Sequence, residues 1–135
     1  MTGANELEVR VYYEDTDAAG IVYHASYLRF AERGRTELLR RLGFDQRVLA
    51  RDHGVLFAVV RCELAFLRPA RLDDLLVVRT GVSALSGAKI EMAQTVECQG
   101  VTLVRADVTV AVLHATQLRP TRLPEALRAA FARMQ

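Results

Sequence analysis

The chain of 135 residues is 51% hydrophobic and 25% charged, which is the composition of one globular domain and excludes a disordered protein. Its formal net charge of +2 is too small to predict a nucleic-acid-binding surface, and no run of about 18 apolar residues predicts a transmembrane segment. Because residues 1–10 also lack the pattern of a secretory signal, we expect one cytoplasmic domain over residues 1–135. Cys62 and Cys98 match no metal or redox spacing and are predicted to be buried free thiols.

The first half of the chain predicts a strand, an acid-rich loop and two helices. The strand covers about 8–13 and the loop covers 14–22. The next segment repeats apolar residues at helical spacing, and Gly43 is expected to end this long helix before a short one at about 45–52. Gly34 lies on the inward face, where a glycine indicates that another backbone packs closely against the helix. The residues of this inward face are Tyr27, Leu28, Ala31, Gly34, Leu38, Leu39 and Leu42.

The second half of the chain predicts four long strands and a final helix. The strands cover about 57–68, 74–84, 88–98 and 102–114, and the helix covers about 123–134. Apolar residues occupy the even positions of each strand and charged residues many of the odd ones, which is typical of antiparallel sheet. In the first of these strands the inward residues are expected to be Ala58, Val60, Cys62, Leu64 and Phe66.

The lengths of these elements predict how they pack. Strands of about 10–12 residues reach roughly 35 Å and a helix of about 18 residues reaches roughly 27 Å, so their apolar faces can cover each other. The predicted fold class is therefore α+β, a curved antiparallel sheet of about five long strands wrapped around one central helix. The odd-numbered sheet face also carries apolar residues such as Val59 and Leu67, which favours burial against another subunit.

The segment from Tyr13 to His24 joins the first strand to the long helix and holds the residues that suggest chemistry. Asp15 and Asp17 supply two carboxylates separated by one residue, and Gly20 permits a tight turn. His24 lies where the backbone N–H groups of a helix N-terminus lack intrahelical partners. Such groups can stabilise an oxyanion, and a carboxylate can attack a carbonyl or deprotonate a water. The segment is therefore a candidate acyl-transfer site.

The same segment has features of several other kinds of site. Acidic residues just before a helix often act as caps, and on the residues alone this interpretation stays open. A calcium loop fits Asp15, Asp17 and Gly20, but Ala19 and Ser26 stand where further ligands are needed. A magnesium-binding aspartate pair would need a buried parallel strand, and a serine hydrolase would need a nucleophile elbow. The sequence has neither, so no metal and no other cofactor is expected.

Four stretches of the sequence resemble a known family. The string YEDTDAAGIVYHASYL at 13–28 resembles the signature of the 4-hydroxybenzoyl-CoA thioesterase superfamily. The stretches ERGRTE at 32–37 and FLRPAR at 66–71, with the aspartate pair soon after, resemble its Tol-Pal-associated acyl-CoA thioesterase branch. The resemblance covers about 8–120, and its first motif is highly specific. The 4-hydroxybenzoyl enzymes have an aromatic residue where this chain has His24, which also favours the Tol-Pal-associated branch.

This resemblance implies a hotdog fold, dimers that pair their sheets edge to edge, and further assembly to a homotetramer. It implies that Asp17 is the catalytic carboxylate, as nucleophile or general base, and that the backbone N–H of His24 polarises the thioester carbonyl. The side chains of Tyr13 and His24 would complete the catalytic site, and Asp15 would hold the loop. The residues expected to bind substrate are Gly20, Ile21, Val22 and Tyr23.

The function expected from the resemblance is hydrolysis of an acyl-CoA to free CoA and a carboxylic acid. Two alternatives stay open: a hotdog dehydratase or hydratase acting on an acyl thioester, and a non-catalytic partner of an acyl carrier protein or an envelope complex. Arg29, Arg33, Arg68 and Arg71 could meet an acidic carrier or the phosphates of CoA, although such residues usually form a solvated face. The sequence does not indicate the acyl group.

Overall fold

A computed structural model describes residues 4–135 of the chain. These residues form the strands and helices in the order that the sequence predicts. The strands are β1 (Asn5–Arg10), β2 (Val55–Phe66), β3 (Leu75–Leu85), β4 (Lys89–Cys98) and β5 (Val101–His114). The helices are α1 (Ser26–Arg41), α2 (Gln46–His53) and α3 (Glu125–Ala132).

The strands form one antiparallel sheet in the order β1-β3-β4-β5-β2. The even-numbered residues of β4 and β5 point inward, and Ile90, Met92 and Val108 are buried. Helix α1 buries Leu38 in the same cluster and Phe30 in a second cluster with Val78 and Val96, because its apolar stripe matches the apolar face of the sheet. The predicted α+β architecture, a long antiparallel sheet around one main helix, is confirmed.

Strand β1 ends earlier than the sequence predicts. The predicted strand reached Tyr13, but β1 ends at Arg10, and Tyr13–Asp15 form a short 3-10 turn. The side chain of Asp15 stabilises this turn by accepting the backbone N–H of Tyr12 at 2.9 Å. Tyr13 therefore lies on a turn outside the sheet.

Strand β2 contains a β-bulge that the alternating pattern does not reveal. Between Val59 and Arg61 this strand advances two residues while β5 advances one, so Val60 is an extra residue. The bulge reverses the face that each residue occupies: Phe57 packs against the core, whereas Val60 is 57% exposed. The prediction that even-numbered residues of β2 point inward is therefore wrong at Ala58 and at Val60 in the bulge. Beyond the bulge it is confirmed at Cys62 and Leu64, which pack against the core, whereas Phe66 is 52% exposed.

Gly34 of α1 faces the sheet, and its nearest neighbours there are side chains. A Cβ atom at this position would lie 2.7 Å from Thr80 Oγ1, 2.8 Å from Val78 Cγ1 and 3.1 Å from Gln94 Nε2. The expectation that another backbone packs against Gly34 was wrong, because side chains of β3 and β4 fill the space beneath the helix. Because Gly34 has no Cβ, α1 can pack directly against these three side chains.

The helix ends follow from the residues that border them. After α1, Gly43 adopts a φ of 91°, in the left-handed region that favours glycine. Asp45 begins α2 by accepting a backbone N–H of the first turn at 2.8 Å. Helix α3 adds Leu127 and Phe131 to the core, where both are fully buried. No helix formed by residues 4–135 is both long enough and apolar enough to cross a membrane.

Both cysteines are free thiols, as the sequence predicts, but each is only partly buried. The predicted full burial was wrong because Cys62 lies on the edge strand β2 and Cys98 lies at the end of β4. Burial raises the pKa of the Cys98 thiol, and the nearby charge of Asp74 raises it further. A thiol with a raised pKa carries less thiolate at neutral pH and is therefore less reactive.

Candidate active site

The acid-rich loop forms a tight turn between Asp17 and Ile21. Asp17 donates its backbone N–H to Ile21 O at 2.9 Å, and Gly20 donates its N–H to Asp17 O at 3.1 Å. Gly20 has a φ of 80°, which favours glycine. Asp17 Oδ1 accepts the N–H of Ala19 at 2.8 Å, so the side chain reinforces its own turn. Among residues 4–135, no group donates a hydrogen bond to the second carboxylate oxygen, which is therefore open to a substrate or a water.

Asp15, the first acid of the pair, is buried and bonded to the protein itself. Its Oδ2 accepts the N–H of Tyr12 at 2.9 Å, and its Oδ1 lies 3.3 Å from a guanidinium nitrogen of Arg29. Its backbone carbonyl accepts the N–H of Tyr23 at 2.9 Å and the hydroxyl of Ser26 at 3.1 Å. Asp15 thus connects the end of the 3-10 turn, the loop and the start of α1.

The start of α1 presents unpaired backbone N–H groups. Ser26 donates its N–H to Tyr23 O at 2.8 Å, and Tyr27 donates its N–H to His24 O at 3.3 Å. In the described part of the chain, the N–H groups of His24 and Ala25 have no acceptor. Free N–H groups at a helix N-terminus carry partial positive charge and stabilise negative charge that develops close to them.

Asp17 and His24 line the same cavity, whose volume is about 360 Å³. The tight turn and the start of α1 form one wall, and the connection after β2 forms the other. Val22 joins the two walls by donating its N–H to Ala70 O at 2.9 Å. The ring of Phe66 meets the ring of His24 edge-on, with centroids 6.3 Å apart. The volume is at the lower end of the roughly 300–1,000 Å³ that ligand pockets usually occupy.

The wall of this cavity includes a buried phenol that the sequence does not mark as a site residue. Tyr27 is 3% exposed, and its Oη accepts the N–H of Ala70 at 3.2 Å. Burial raises the pKa of Tyr27, the hydrogen bond from Ala70 opposes that shift, and the charge of Asp74 adds to it. The phenol therefore stays protonated at neutral pH and keeps a hydroxyl proton to donate. The helical pattern indicates only that Tyr27 is inward, as it would for any core residue.

The predicted site residues divide between this cavity and a neighbouring groove. Tyr13 is 83% exposed and lines a groove of about 440 Å³ together with Asp17 and Gly20. Tyr23 is exposed, and its ring lies against that of His24 with centroids 4.4 Å apart. The predicted residues that line the cavity itself are Asp17, Ile21, Val22 and His24.

The connection from β2 to β3 supplies wall residues of which the sequence marks only Arg68, as one of four arginines that could meet an acidic carrier or the phosphates of CoA. Phe66, Leu67, Arg68 and Pro69 all line the cavity. Phe66, Leu67 and Pro69 are not marked, because local patterns contain no information on which loops meet in space. The one signal that points to this connection is the family-like stretch at 66–71.

Comparison with known proteins shows similarity over nearly the whole chain. The family model of the Thioesterase-like superfamily matches residues 11–131. The acyl-CoA thioesterase YbgC of Haemophilus influenzae is 45% identical over 123 residues, which cover 91% of this chain and 90% of that protein. The acyl-CoA thioester hydrolase YbgC of Escherichia coli is 41% identical over 124 residues, covering 91% and 92%. A probable thioesterase from Bartonella henselae has a crystal structure with a TM-score of 0.85 and 41% identity, covering 90% of this chain and 99% of that one.

These similarities confirm two predictions made from the sequence. The likeness to the Bartonella henselae structure confirms the hotdog fold. The identities above 40% over nine tenths of the chain confirm that the protein is related to thioester-hydrolysing enzymes. The chain belongs to the Thioesterase-like superfamily, in the YbgC group that corresponds to the predicted Tol-Pal-associated branch.

Proposed function

We propose that the protein hydrolyses an acyl-CoA thioester in the cavity lined by Asp17 and His24. The observation that carries the proposal is one cavity that holds both a carboxylate with an open oxygen and the start of a helix with unpaired N–H groups. The relatives named acyl-CoA thioesterase and acyl-CoA thioester hydrolase suggest the substrate class. In the reaction an oxygen of water joins the acyl carbon, the carbon–sulfur bond breaks, and the released CoA thiolate takes up a proton.

The backbone N–H of His24 would bind the carbonyl oxygen of the thioester. That oxygen gains negative charge when the carbonyl is attacked, and unpaired N–H groups at a helix start stabilise this charge. A donor of this kind already stands in place in the folded protein, so little reorganisation is needed at the moment of reaction. The imidazole of His24 and the phenol of Tyr13 border Asp17 and would complete the catalytic site.

Asp17 would act on the acyl carbon in one of two ways. It can attack directly to form a mixed anhydride that water then hydrolyses, or it can take a proton from an attacking water. Both routes use the open carboxylate oxygen, while Ala19 holds the other oxygen. Asp15 would hold the loop, since its carboxylate is occupied by Tyr12 and Arg29.

The test is the Asp17→Asn variant in a thiol-release assay with a panel of acyl-CoAs of rising chain length, plus benzoyl and hydroxybenzoyl forms. We expect turnover to fall by roughly 10²–10⁴-fold, the range associated with a lost general base, with an unchanged thermal unfolding curve. The exposed Glu14→Gln is the matched control and should keep wild-type activity. Wild-type turnover in Asp17→Asn would contradict the proposal, as would hydration of crotonyl-CoA without thiol release.

For quaternary structure and location we propose a homodimer that assembles to a homotetramer in the cytoplasm. Support for the dimer comes from β2, which forms an edge of the sheet and exposes Val59, Val60 and Phe66. An exposed edge strand with apolar side chains favours pairing with another chain. An acyl carrier protein is a further candidate partner, and a pull-down with Asp17→Asn would show whether it binds without turnover.

A further inference from the structure

A second cavity, of about 390 Å³, lies against another part of α1 and shares no lining residue with the cavity of Asp17. Part of its wall is apolar and includes Leu39, Phe57 and Met92. Arg35 also lines this cavity, next to Glu32 on the same helix. Its volume lies within the range of ligand-binding pockets.

The guanidinium of Arg35 is partly buried without an anionic partner. Within residues 4–135, no carboxylate lies within 4.0 Å of it, in contrast to five other arginines of the chain. Its hydrogen bond goes instead to the neutral side chain of Gln94, at 2.9 Å. Burial lowers the pKa of Arg35, while the nearby side chains of Cys62 and Glu32 oppose this shift. A partly desolvated cation without a contacting anion favours binding of an anionic group.

A buried polar chain sets the orientation of Arg35. Gln94 is 2% exposed, and its Nε2 donates to Ala31 O at 2.9 Å and to Thr80 Oγ1 at 2.8 Å. These two bonds fix the amide, so its oxygen faces Arg35. Gly34 leaves room for the arrangement, because a Cβ there would lie 3.1 Å from Gln94 Nε2. The core thus holds the guanidinium at the cavity wall in a defined position.

We propose that this cavity binds a small monocarboxylate with an apolar tail. Arg35 has five N–H donors, of which one is used by Gln94, and its planar geometry suits a carboxylate. The apolar tail would contact Phe57 and Met92. The carboxylate of Glu32 on the same cavity disfavours a ligand with a second negative group, so a single carboxylate fits better than a dicarboxylate. This site does not depend on hydrolysis at Asp17.

The proposal is tested by titrating the isotope-labelled full chain with hexanoate and with hexan-1-ol in amide NMR spectra. Hexanoate is expected to shift the side-chain amide of Gln94 and the backbone amide of Arg35, and to bind at least about tenfold more tightly than the uncharged alcohol. Equal binding of the two compounds would overturn the proposal. Shifts confined to the cavity of His24 and Tyr27 would also overturn it.

Variants of Arg35 distinguish a role of its positive charge in binding hexanoate from a role of its side chain in folding. Arg35→Met should weaken hexanoate binding by about tenfold or more, whereas Arg33→Met, an exposed arginine on the same helix, should leave it unchanged. Arg35→Lys keeps the charge and should retain part of the affinity, which keeps the test informative if Arg35→Met does not fold. Wild-type affinity in Arg35→Met would overturn the proposal. The proposal would also be overturned if the wild type did not bind hexanoate and Arg35→Met changed the oligomeric mass. In that case the cavity would serve contact between subunits.

Discussion

At the scale of single residues, the two acids of the loop have different surroundings although only one residue separates them. Asp15 is buried and accepts hydrogen bonds from Tyr12 and Arg29, so its carboxylate is used by the fold. Asp17 is exposed, and among residues 4–135 its carboxylate accepts a hydrogen bond only from Ala19, within its own turn. The contrast arises because Asp15 ends the 3-10 turn beside the start of α1, whereas Asp17 begins the tight turn that closes at Ile21. It supports Asp17 as the acid that meets substrate.

The Asp15→Asn variant tests this division. The amide would face the N–H of Tyr12 and lose the negative charge beside Arg29, so we expect the free energy of unfolding to fall by about 1–3 kcal/mol. Urea denaturation measures this, and Glu14→Gln, an exposed neighbour, should change it by less than about 0.5 kcal/mol. Thiol release should fall less than in Asp17→Asn. A loss as large as that of Asp17→Asn would identify Asp15 as the catalytic acid.

Tyr27 provides a prediction on pH. Burial raises the pKa of its phenol above the ordinary value of 10.0, so the unfolded chain ionises this residue at lower pH than the folded chain does. The stability that the neutral phenol contributes is therefore full below pH 10.0 and is lost as the pH rises above it. Phenolate absorbance of the wild type minus that of Tyr27→Phe should have its midpoint above pH 10.0. A midpoint below that value would show that the site is wetter than the structure indicates.

At the scale of elements, the fit of α1 against the sheet depends on Gly34. Valine at this position would place its side chain into Thr80 and Val78, where a Cβ alone lies at 2.7 and 2.8 Å. We expect Gly34→Val to lower the free energy of unfolding by about 2–3 kcal/mol, since overpacking outweighs the small gain in helix propensity. Thermal denaturation measures the change. The control is Arg33→Val, at an exposed position of α1, which should lower the free energy of unfolding by less than about 1 kcal/mol. If Gly34→Val and Arg33→Val were equally stable, α1 would be able to move away from the sheet without loss of stability.

At the scale of the whole molecule, strand β2 decides how two copies can meet. Its bulge turns Val60 outward at the sheet edge, where an apolar side chain favours pairing with a second chain. A charge at this position would have to be buried in such an interface.

Light scattering after size exclusion tests this edge. We expect the wild type at two or four times its chain mass of 15.0 kDa, and a shift toward the monomer in Val60→Glu. Val101→Glu carries the same change at an exposed valine of β5 and should keep the wild-type mass. If Val101→Glu dissociates the oligomer and Val60→Glu does not, the interface lies elsewhere.

Much of the fold could be predicted because helical and strand periods are local properties of a sequence. The stripe from Tyr27 to Leu42 and the alternation in β4 and β5 appear in the structure within a few residues of their predicted bounds. The prediction that Leu28 lies on the inward face was wrong, since its side chain is 46% exposed. The bulge at Val60 could not be predicted, because one extra residue leaves the apolar composition of β2 unchanged. Asp17 and His24 could be predicted as neighbours in one site, since only a short loop separates them.

The order of the elements, the acid-rich loop and the family could all be predicted from the sequence, because each depends on residues close together in the chain or on a motif read in order. The residues that surround the site follow from the three-dimensional fold instead, since they come from distant parts of the chain. The hydrogen bond between Tyr27 and Ala70 and that between Arg35 and Gln94 join residues 43 and 59 positions apart. Such contacts depend on how the helix lies on the sheet, which buries the phenol of Tyr27 and holds the guanidinium of Arg35 at the wall of the second cavity.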